Sequence, residues 1–160
     1  MKEYGHLLRD DPAFATRAQA FSRRVRDVSE VLTNTPLRGP LRPVSLRVAY
    51  DDACHLLHGQ KIHEQPRALL RQIPDLQLLE VPESDWCCGS AGIYNLLHPE
   101  TAQTLLDRKM AHLASLQPHL IVTGNPGCIL QLRQGVARHG LAAEVLHPVE
   151  VLARTYDEPG

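Results

Sequence analysis

From residue 44 onward the chain alternates short apolar runs with helical patterns, and this alternation constrains the fold more than any other feature. The apolar runs predict strands at 46–50, 76–81, 120–123 and 144–146. The patterns typical of helices lie at 64–73, 90–97, 99–117, 128–139 and 148–156. Strands that alternate with helices favour a parallel sheet covered on both faces. We therefore predict an α/β, parallel-sheet (Rossmann-like) three-layer domain.

The first part of the chain has a different pattern, with apolar residues at alternating spacings of four and three. This periodicity predicts one amphipathic helix over 11–33, with Asp11 and Pro12 at its start. The apolar stripe comprises Phe14, Ala18, Phe21, Val25, Val28 and Leu32. The opposite face carries Arg17, Arg23, Arg24 and Arg26, which we interpret as the solvated face of a helix docked by its stripe. A Pro- and Gly-rich connection at 34–43 then divides an N-terminal helical segment and linker, 1–43, from the α/β domain, 44–160.

Composition excludes several classes of protein. With 160 residues, of which 43% are hydrophobic, the chain suits one globular domain. Its net charge of −1 provides no basic field for nucleic acid, and no apolar run approaches the ~20 residues that span a bilayer. The first residues lack the apolar segment of a signal peptide. We therefore expect a cytoplasmic protein with reduced thiols, no nucleic-acid partner and at most peripheral membrane association.

All four cysteines come just after predicted strands. Cys54 follows the first strand, Cys87 and Cys88 follow the second, and Cys128 follows the third. In an open parallel sheet, the edge formed by the carboxyl ends of the strands is where ligands bind. We therefore predict that the four thiols converge there on one metal or cluster site.

The residues around the thiols suit an anionic centre. Cys88 and Cys128 lie at or just before predicted helix N-termini, where free N–H groups lower a thiol pKa and would also steady a negatively charged cluster. Gly89 and Gly127 let the backbone approach a cofactor closely. Trp86 either screens the site from water or is a partly buried core aromatic, and both interpretations stay open.

This array resembles the cysteine-rich CCG domain family. The segments DDACHLLHGQ, WCCGSAGIYNLL and TGNPGC carry the resemblance, which covers essentially the whole chain and is greatest for iron–sulfur subunits of glycolate oxidase. The family pattern is one Cys, a gap in the thirties, Cys-Cys-Gly, a second such gap and Cys-x-x-Cys. Here 32 residues separate Cys54 from Cys87, and 36 separate Cys88 from Asn125. Asn125 stands where the family has a further cysteine. With Pro126 it suits the N-cap of a helix, which we favour over the alternative of a weak oxygen ligand.

The resemblance implies an electron-transfer subunit with a [4Fe-4S] cluster held by the four thiols. Its implied partners are flavin (FAD) subunits that oxidise glycolate or a similar 2-hydroxy acid, with electrons passing towards a quinone-type acceptor. It also implies that MKEYGHLLRDDP follows a first CCG repeat, in a subunit with an N-terminal ferredoxin-like half. Such a complex would be cytoplasmic or peripheral on the inner face of the cytoplasmic membrane, and no catalytic acid or base is expected in this chain.

Four thiols, in place of the family's five, leave two alternatives open. A tetrahedral structural zinc site is one. Thiol–disulfide chemistry at Cys87 and Cys88, resolved by Cys54 or Cys128, is the other.

Histidines and carboxylates close to the cysteines are further candidates. The histidines are His55, His58 and His63, and we interpret them as surface or loop-fixing residues more than as metal ligands. The carboxylates are Asp51, Asp52 and Asp85. We interpret these as groups that keep exposed loops solvated more than as supports of a bound group.

Overall fold

The structure, a computed structural model that describes residues 1–156, contains a four-stranded parallel sheet. Its strands are β1 (Arg47–Asp51), β2 (Gln77–Leu79), β3 (Leu120–Thr123) and β4 (Glu144–Leu146). They lie in the order β2-β1-β3-β4, and each neighbouring pair is parallel. The predicted parallel α/β fold is confirmed, although β2 is shorter than the predicted strand at 76–81.

Helices cover both faces of this sheet. They are α1 (Tyr4–Leu7), α2 (Ala15–Arg24), α3 (Val28–Thr33), α4 (Glu64–Leu70), α5 (Tyr94–Leu97), α6 (Pro99–Leu116), α7 (Pro126–His139) and α8 (Pro148–Arg154). A π-helical segment, His55–Gln60, follows β1. The packing of α6 with α7 on one face, and of α4 with α8 on the other, gives the predicted three layers. Within residues 1–156, none of these helices has the length and apolar character to cross a bilayer.

The core forms on both sides of the sheet because successive strand residues point to opposite faces. Towards α6 and α7 the strands bury Ala49, Ile121 and Val145. Towards α4 and α8 they bury Val48, Val122 and Leu146. Burying a large aliphatic side chain contributes about 1.5–3 kcal/mol, so these two layers hold the sheet in place.

The strand order creates a crevice between β1 and β3. From β1 the chain goes to one side to form β2, and it then crosses to the other side to form β3 and β4. The carboxyl ends of β1 and β3 lie side by side, with Asp51 in register with Thr123. The loops that follow them therefore diverge around one crevice, which is the usual ligand position in open α/β sheets.

The N-terminal segment differs from the prediction of one helix over 11–33. The chain breaks at Val25, which is extended with a ψ of 125°, and it resumes as α3 at Val28. Asp27 caps α3 through a capping box with Glu30. This cap starts a second helix, whereas the apolar periodicity alone predicted that the first helix continues to residue 33. The division into 1–43 and 44–160 stays a prediction, and the end of the second range lies outside the described residues.

Only part of the apolar stripe of this segment packs against the rest of the protein. Phe14 is 50% exposed and Phe21 is 46% exposed, and Val28 is exposed as well. The helix α2 packs on α1, an element that the sequence did not predict, and Tyr4 stacks on Phe21 with ring centroids 5.8 Å apart. We call α1 and α2 together the α1–α2 hairpin. The prediction that the stripe docks the helix is wrong for Phe14, Phe21 and Val28, which are exposed. It holds for Ala18, which is buried, and for Leu32 in α3, which packs against the core.

Candidate metal centre

The four cysteines lie on three loops at the carboxyl edge of the sheet. Cys54 stands three residues beyond β1, and Cys128 lies in the first turn of α7 beyond β3. Cys87 and Cys88 lie in the loop after β2. Cys54, Cys88 and Cys128 line one cavity of about 250 Å³, and all four thiols are free. The structure therefore brings together thiols that are far apart in the chain.

The thiols form two neighbouring pairs. Cys88 and Cys128 lie close enough to shift each other's pKa, and Cys54 acts in the same way on the pKa of Cys87. The backbone N–H of Gly89 donates to Cys87 Sγ at 3.3 Å. The backbone of Ser90 acts to lower the pKa of Cys88. Backbone donors therefore point at the sulfurs of the Cys-Cys pair.

The pKa values of these thiols follow from burial and from the shared hydrogen bonds. A hydrogen bond from Cys128, assisted by the N–H of Ser90, lowers the pKa of Cys88 in spite of burial. The same hydrogen bond and burial raise the pKa of Cys128. Burial raises the pKa of Cys87, against the effect of the Gly89 N–H. The pKa is thus lowered at Cys88 and raised at Cys128, because the interaction between the two thiols favours the charge on Cys88.

Cys88 does not lie beside a helix N-terminus, which corrects the prediction of a helix over 90–97. The helix α5 begins only at Tyr94, because Ala91 and Gly92 have left-handed backbones with φ of 35° and 69°. A positive φ at a non-glycine residue is uncommon and carries no sequence signature at Ala91. The N–H groups near Cys88 are instead those of a turn.

Asn125 caps α7 and contacts a histidine. Its side-chain oxygen accepts a hydrogen bond from the Cys128 N–H at 3.0 Å, and Pro126 occupies the first turn. Asn125 is thus the N-cap that the sequence suggested. Its Nδ2 lies 3.2 Å from His55 Nδ1, and both residues line the cavity beside the thiols.

The two glycines predicted to bind a cofactor stand where the loops approach each other closely. Gly89 has a φ of +89°, and a Cβ there would overlap the carbonyl oxygen of Ala102. A Cβ on Gly127 would lie 2.9 Å from Ser90 Oγ. Glycine at both positions thus lets the loop after β2 pack against α6 and α7, and their contact with a cofactor stays a prediction.

Buried charges lie behind the thiols, where the sequence suggested solvated carboxylates. Asp51 is 1% exposed and accepts a hydrogen bond from Lys109 Nζ at 2.5 Å. Asp52 is 5% exposed and receives two hydrogen bonds from Arg67, at 2.7 and 2.6 Å, and one from Ser84 Oγ at 2.8 Å. The interpretation of Asp51 and Asp52 as solvating groups is wrong, because both end a buried strand against charged partners. Only the third carboxylate, Asp85, is exposed.

The pKa values of the two neighbouring carboxylates, Asp51 and Asp52, are shifted in opposite directions. Burial raises the pKa of Asp51 to about 6, although Lys109 opposes the shift. Burial also acts to raise the pKa of Asp52, but hydrogen bonds from Arg67 and Ser84 outweigh it and hold that pKa below its usual range. Asp52 is therefore a firmly ionised anchor, whereas Asp51 is a carboxylate whose ionisation is costly.

The remaining histidines and the tryptophan lie around the site. His58 Nε2 lies 3.3 Å from the carbonyl oxygen of Asp85, and so links the loops after β1 and β2 as a loop-fixing residue. His63 is exposed beside Glu64. Trp86 is 44% exposed, is not a core residue, and does not line the cavity. The guanidinium of Arg108 lies 3.6 Å from its ring centroid.

The arrangement of donors suits a cluster better than a single ion. Within residues 1–156, no three His, Cys, Asp or Glu side chains are close enough to hold one metal ion. A tetrahedral zinc needs all its ligands about 2.0–2.3 Å from one metal ion. An iron–sulfur cluster would instead spread four thiolates over two irons in a [2Fe-2S] cluster or over four irons in a [4Fe-4S] cluster. Four reduced thiols in two pairs, three of them around one cavity, fit an iron–sulfur cluster.

Comparison with known proteins identifies the class to which this fold and cysteine array belong. The family model of the cysteine-rich domain, CCG, matches residues 48–133, a range that includes all four cysteines. The chain belongs to the cysteine-rich CCG domain family.

Its relatives include subunits of oxidoreductases. The probable glycolate oxidase iron-sulfur subunit of Bacillus subtilis is 40% identical over 147 residues, which are 91% of this chain and 33% of that protein. The glycolate oxidase iron-sulfur subunit of Escherichia coli is 38% identical over 80% of this chain and 31% of its own length. A fumarate reductase (CoM/CoB) subunit of Methanothermobacter marburgensis is 33% identical over 84% of this chain and 28% of its own length. The chain thus spans about a third of the length of these curated relatives.

Proposed function

We propose that this chain is the cysteine-rich domain of an iron–sulfur electron-transfer subunit of a glycolate oxidase or dehydrogenase. Its partner subunits would carry FAD and oxidise glycolate or a similar 2-hydroxy acid, and its electrons would pass towards a quinone-type acceptor. The proposal is supported by the similarity to glycolate oxidase iron-sulfur subunits. The single observation that carries it is the gathering of reduced thiols from three loops at the crevice between β1 and β3.

In this proposal Cys54, Cys87, Cys88 and Cys128 ligate a [4Fe-4S] cluster. The bound cluster would supply one-electron transfer. The chain's own residues hold the site in shape: the N–H of Gly89 donates to Cys87, and Asn125 fixes the first turn of α7 beneath Cys128. Backbone donors directed at sulfur are among the factors that set the reduction potential of such clusters.

The setting of the domain is also part of the proposal. We expect it to act with the ferredoxin-like half of the same subunit and with flavin subunits, in the cytoplasm or peripherally at the inner face of the cytoplasmic membrane. Substrate oxidation would take place on the flavin subunit, so we assign no catalytic acid or base to this chain.

Anaerobic reconstitution tests the proposal. The chain is incubated with iron and sulfide under reducing, oxygen-free conditions, and bound iron, acid-labile sulfide and the electron paramagnetic resonance spectrum are measured. We expect about four irons and four sulfides per chain, in keeping with one [4Fe-4S] cluster. Cys88→Ser and Cys128→Ser should lose most of the iron or change the spectrum.

The matched control is His58→Ala, which changes an exposed potential ligand in the loop that follows Cys54. This variant should bind as much iron as the unchanged chain. A chain that takes up no iron, or cysteine variants that keep the iron content and spectrum of the unchanged chain, would refute the proposal. One zinc per chain without a chromophore would instead support the structural zinc alternative.

A thiol–disulfide role is the second candidate, and the position of Cys88 and Cys128 in the lining of one cavity favours it. A thiol with a lowered pKa beside a second thiol is the arrangement that such exchange needs. In this role Cys128 would resolve a disulfide formed at Cys88, which is one of the pairings that the sequence left open. Mass spectrometry of the reconstituted chain after oxidant treatment distinguishes the two roles, since a disulfide joining Cys88 and Cys128 appears only where no metal protects them.

A further inference from the structure

Lys109 is a buried lysine on the apolar face of α6. It is 4% exposed and shares that face with Leu106, Met110 and Leu113, each of which is fully buried. Burying an ammonium group is costly unless it is paired and hydrogen-bonded. The ammonium group of Lys109 must therefore be stabilised by the groups around it.

The ammonium of Lys109 joins two of the cysteine-bearing loops. Its Nζ donates to Asp51 Oδ1 at 2.5 Å, at the end of β1, and to the carbonyl oxygens of Ser84 at 3.1 Å and Glu83 at 3.4 Å, after β2. These contacts match the three donors of an ammonium group. Lys109 is thus fixed on α6, with its charge directed at the loops that bear Cys54 and Cys87.

Both charges of this ion pair lie against the loops that bear the thiols. Asp51 lies three residues before Cys54, and Ser84 lies three residues before Cys87. Interactions between charges are several times stronger in a protein interior than in bulk water, so a buried pair beside sulfur influences how much negative charge the site accepts.

We propose that the buried Lys109–Asp51 pair sets the reduction potential of the group held by the cysteine site, with Lys109 favouring and Asp51 opposing the added electron. Both are positioning residues, since they act through the loops and through their charge and do not ligate the group. This inference rests on the proposed function, because it requires an iron–sulfur cluster on the thiols.

The neighbouring pair Arg108–Glu83 provides a matched comparison. Arg108 directly precedes Lys109 on α6, and Glu83 lies in the same loop after β2. The N and O atoms of this pair are 2.6 Å apart. Its side chains are 47% and 33% exposed, whereas those of Lys109 and Asp51 are 3% and 1% exposed. Water and salt screen exposed charges, so equal changes of charge at the two pairs should act very differently on the site.

Potentiometric titration of the reconstituted full chain, followed by electron paramagnetic resonance at pH 8, tests the inference. Asp51→Asn should move the reduction potential to more positive values, and Lys109→Met should move it to more negative values. Glu83→Gln and Arg108→Met should give smaller shifts than their buried counterparts. Shifts of opposite sign at one ion pair are an electrostatic signature that a purely structural role would not produce.

Other outcomes overturn the inference. Shifts of the same sign in Asp51→Asn and Lys109→Met, or shifts no larger than those of the exposed pair, would show that the buried charges do not set the potential. If Lys109→Met binds no cluster, Lys109→Gln decides, since it keeps a hydrogen-bond donor towards Ser84 without the charge. Loss of iron from both Lys109 variants would assign the lysine a structural role only. If the unchanged chain takes up no iron, it is the proposed function that fails.

Discussion

The cysteine edge of the sheet and the α1–α2 hairpin reverse the usual placement of polar and apolar side chains. At the cysteine edge, Asp52 and Arg67 are buried and joined by two hydrogen bonds. In the hairpin, Phe14 and Phe21 are about half exposed, and Tyr4 stacks on Phe21. Large charged groups are rarely buried without a partner, and aromatic residues are more often covered, so both regions depart from the common pattern.

The two regions differ in the sequence separation of the residues that are in contact. The Asp52–Arg67 pair joins the end of β1 to α4, and Ser84 adds the loop after β2. Removing one member would leave a buried charge without its partner. The hairpin makes its main contacts between α1 and α2, which are neighbours in sequence. We therefore expect the stability of the domain to depend strongly on the charged edge and only weakly on the exposed aromatic residues.

The largest expected effect is that of Arg67→Met. It removes both hydrogen bonds to Asp52 and leaves that carboxylate 5% exposed without a cation, which should cost about 3–5 kcal/mol of the free energy of unfolding. Urea unfolding of the metal-free chain measures this loss. Arg24→Met, at an exposed arginine of α2, is the control and should cost less than about 0.5 kcal/mol. Equal losses in the two variants would contradict the comparison.

The next effect is the dependence of stability on pH at Asp51. Its pKa is about 6 in the folded chain, against about 3.9 for an unfolded Asp. The folded state binds the proton of Asp51 more tightly than the unfolded state does. The contribution of Asp51 to the free energy of unfolding is therefore greatest below pH 4, and about 3 kcal/mol of it is lost as the pH rises to 6. Asp52 and the other depressed carboxylates act in the opposite sense, since they lose stability as the pH falls.

Asp51→Asn isolates this contribution. Urea unfolding of the metal-free chain is measured from pH 4 to pH 7, and the difference in unfolding free energy between the unchanged chain and the variant is plotted against pH. The buried Lys109 left without its partner adds a cost at every pH, so the change of the difference with pH is the measure. If this difference stays constant from pH 4 to pH 7, the pKa of Asp51 is not raised in the folded chain.

The sequence predicted much of the cysteine edge because topology and chemistry agree there. Apolar runs define the strands, and parallel strands place Cys54, Cys88 and Cys128 at one edge. The ion pairs were missed because Asp51 and Lys109 are 58 residues apart and nothing local joins them. A lysine within the apolar stripe of 99–117 was the one available signal.

Prediction from the sequence was weaker where a tertiary contact was inferred from the periodicity of apolar residues alone. An apolar stripe indicates a helix but does not determine what covers it, so one helix over 11–33 docked by its whole stripe was expected. The break before α3 has a sequence signature, Asp27-x-x-Glu30, which is a capping box. The late start of α5 has none, because the left-handed backbone at Ala91 depends on the surrounding fold.

A smaller effect separates two glycines of the loop after β2, both with left-handed backbones. Gly92→Ala should cost about 1–2 kcal/mol for the backbone conformation alone, since nothing lies within 4 Å of its Cβ position. Gly89→Ala should cost about 1–3 kcal/mol more, because its Cβ would overlap the carbonyl oxygen of Ala102 on α6. Urea unfolding measures both variants. Equal costs would mean that α6 yields to the added methyl group.

The smallest expected effect lies in the hairpin. Phe21→Ser removes an aromatic ring that is 46% exposed and whose close aromatic contact is Tyr4, in the same hairpin. The free energy of unfolding of the sheet domain should fall by less than about 0.5 kcal/mol, as for most exposed positions. The matched core variant is Leu106→Ala, at a fully buried position of α6, where about 2–5 kcal/mol should be lost. If Phe21→Ser destabilised the chain as much as Leu106→Ala, the hairpin would belong to the core, and the contrast between the two regions would be lost.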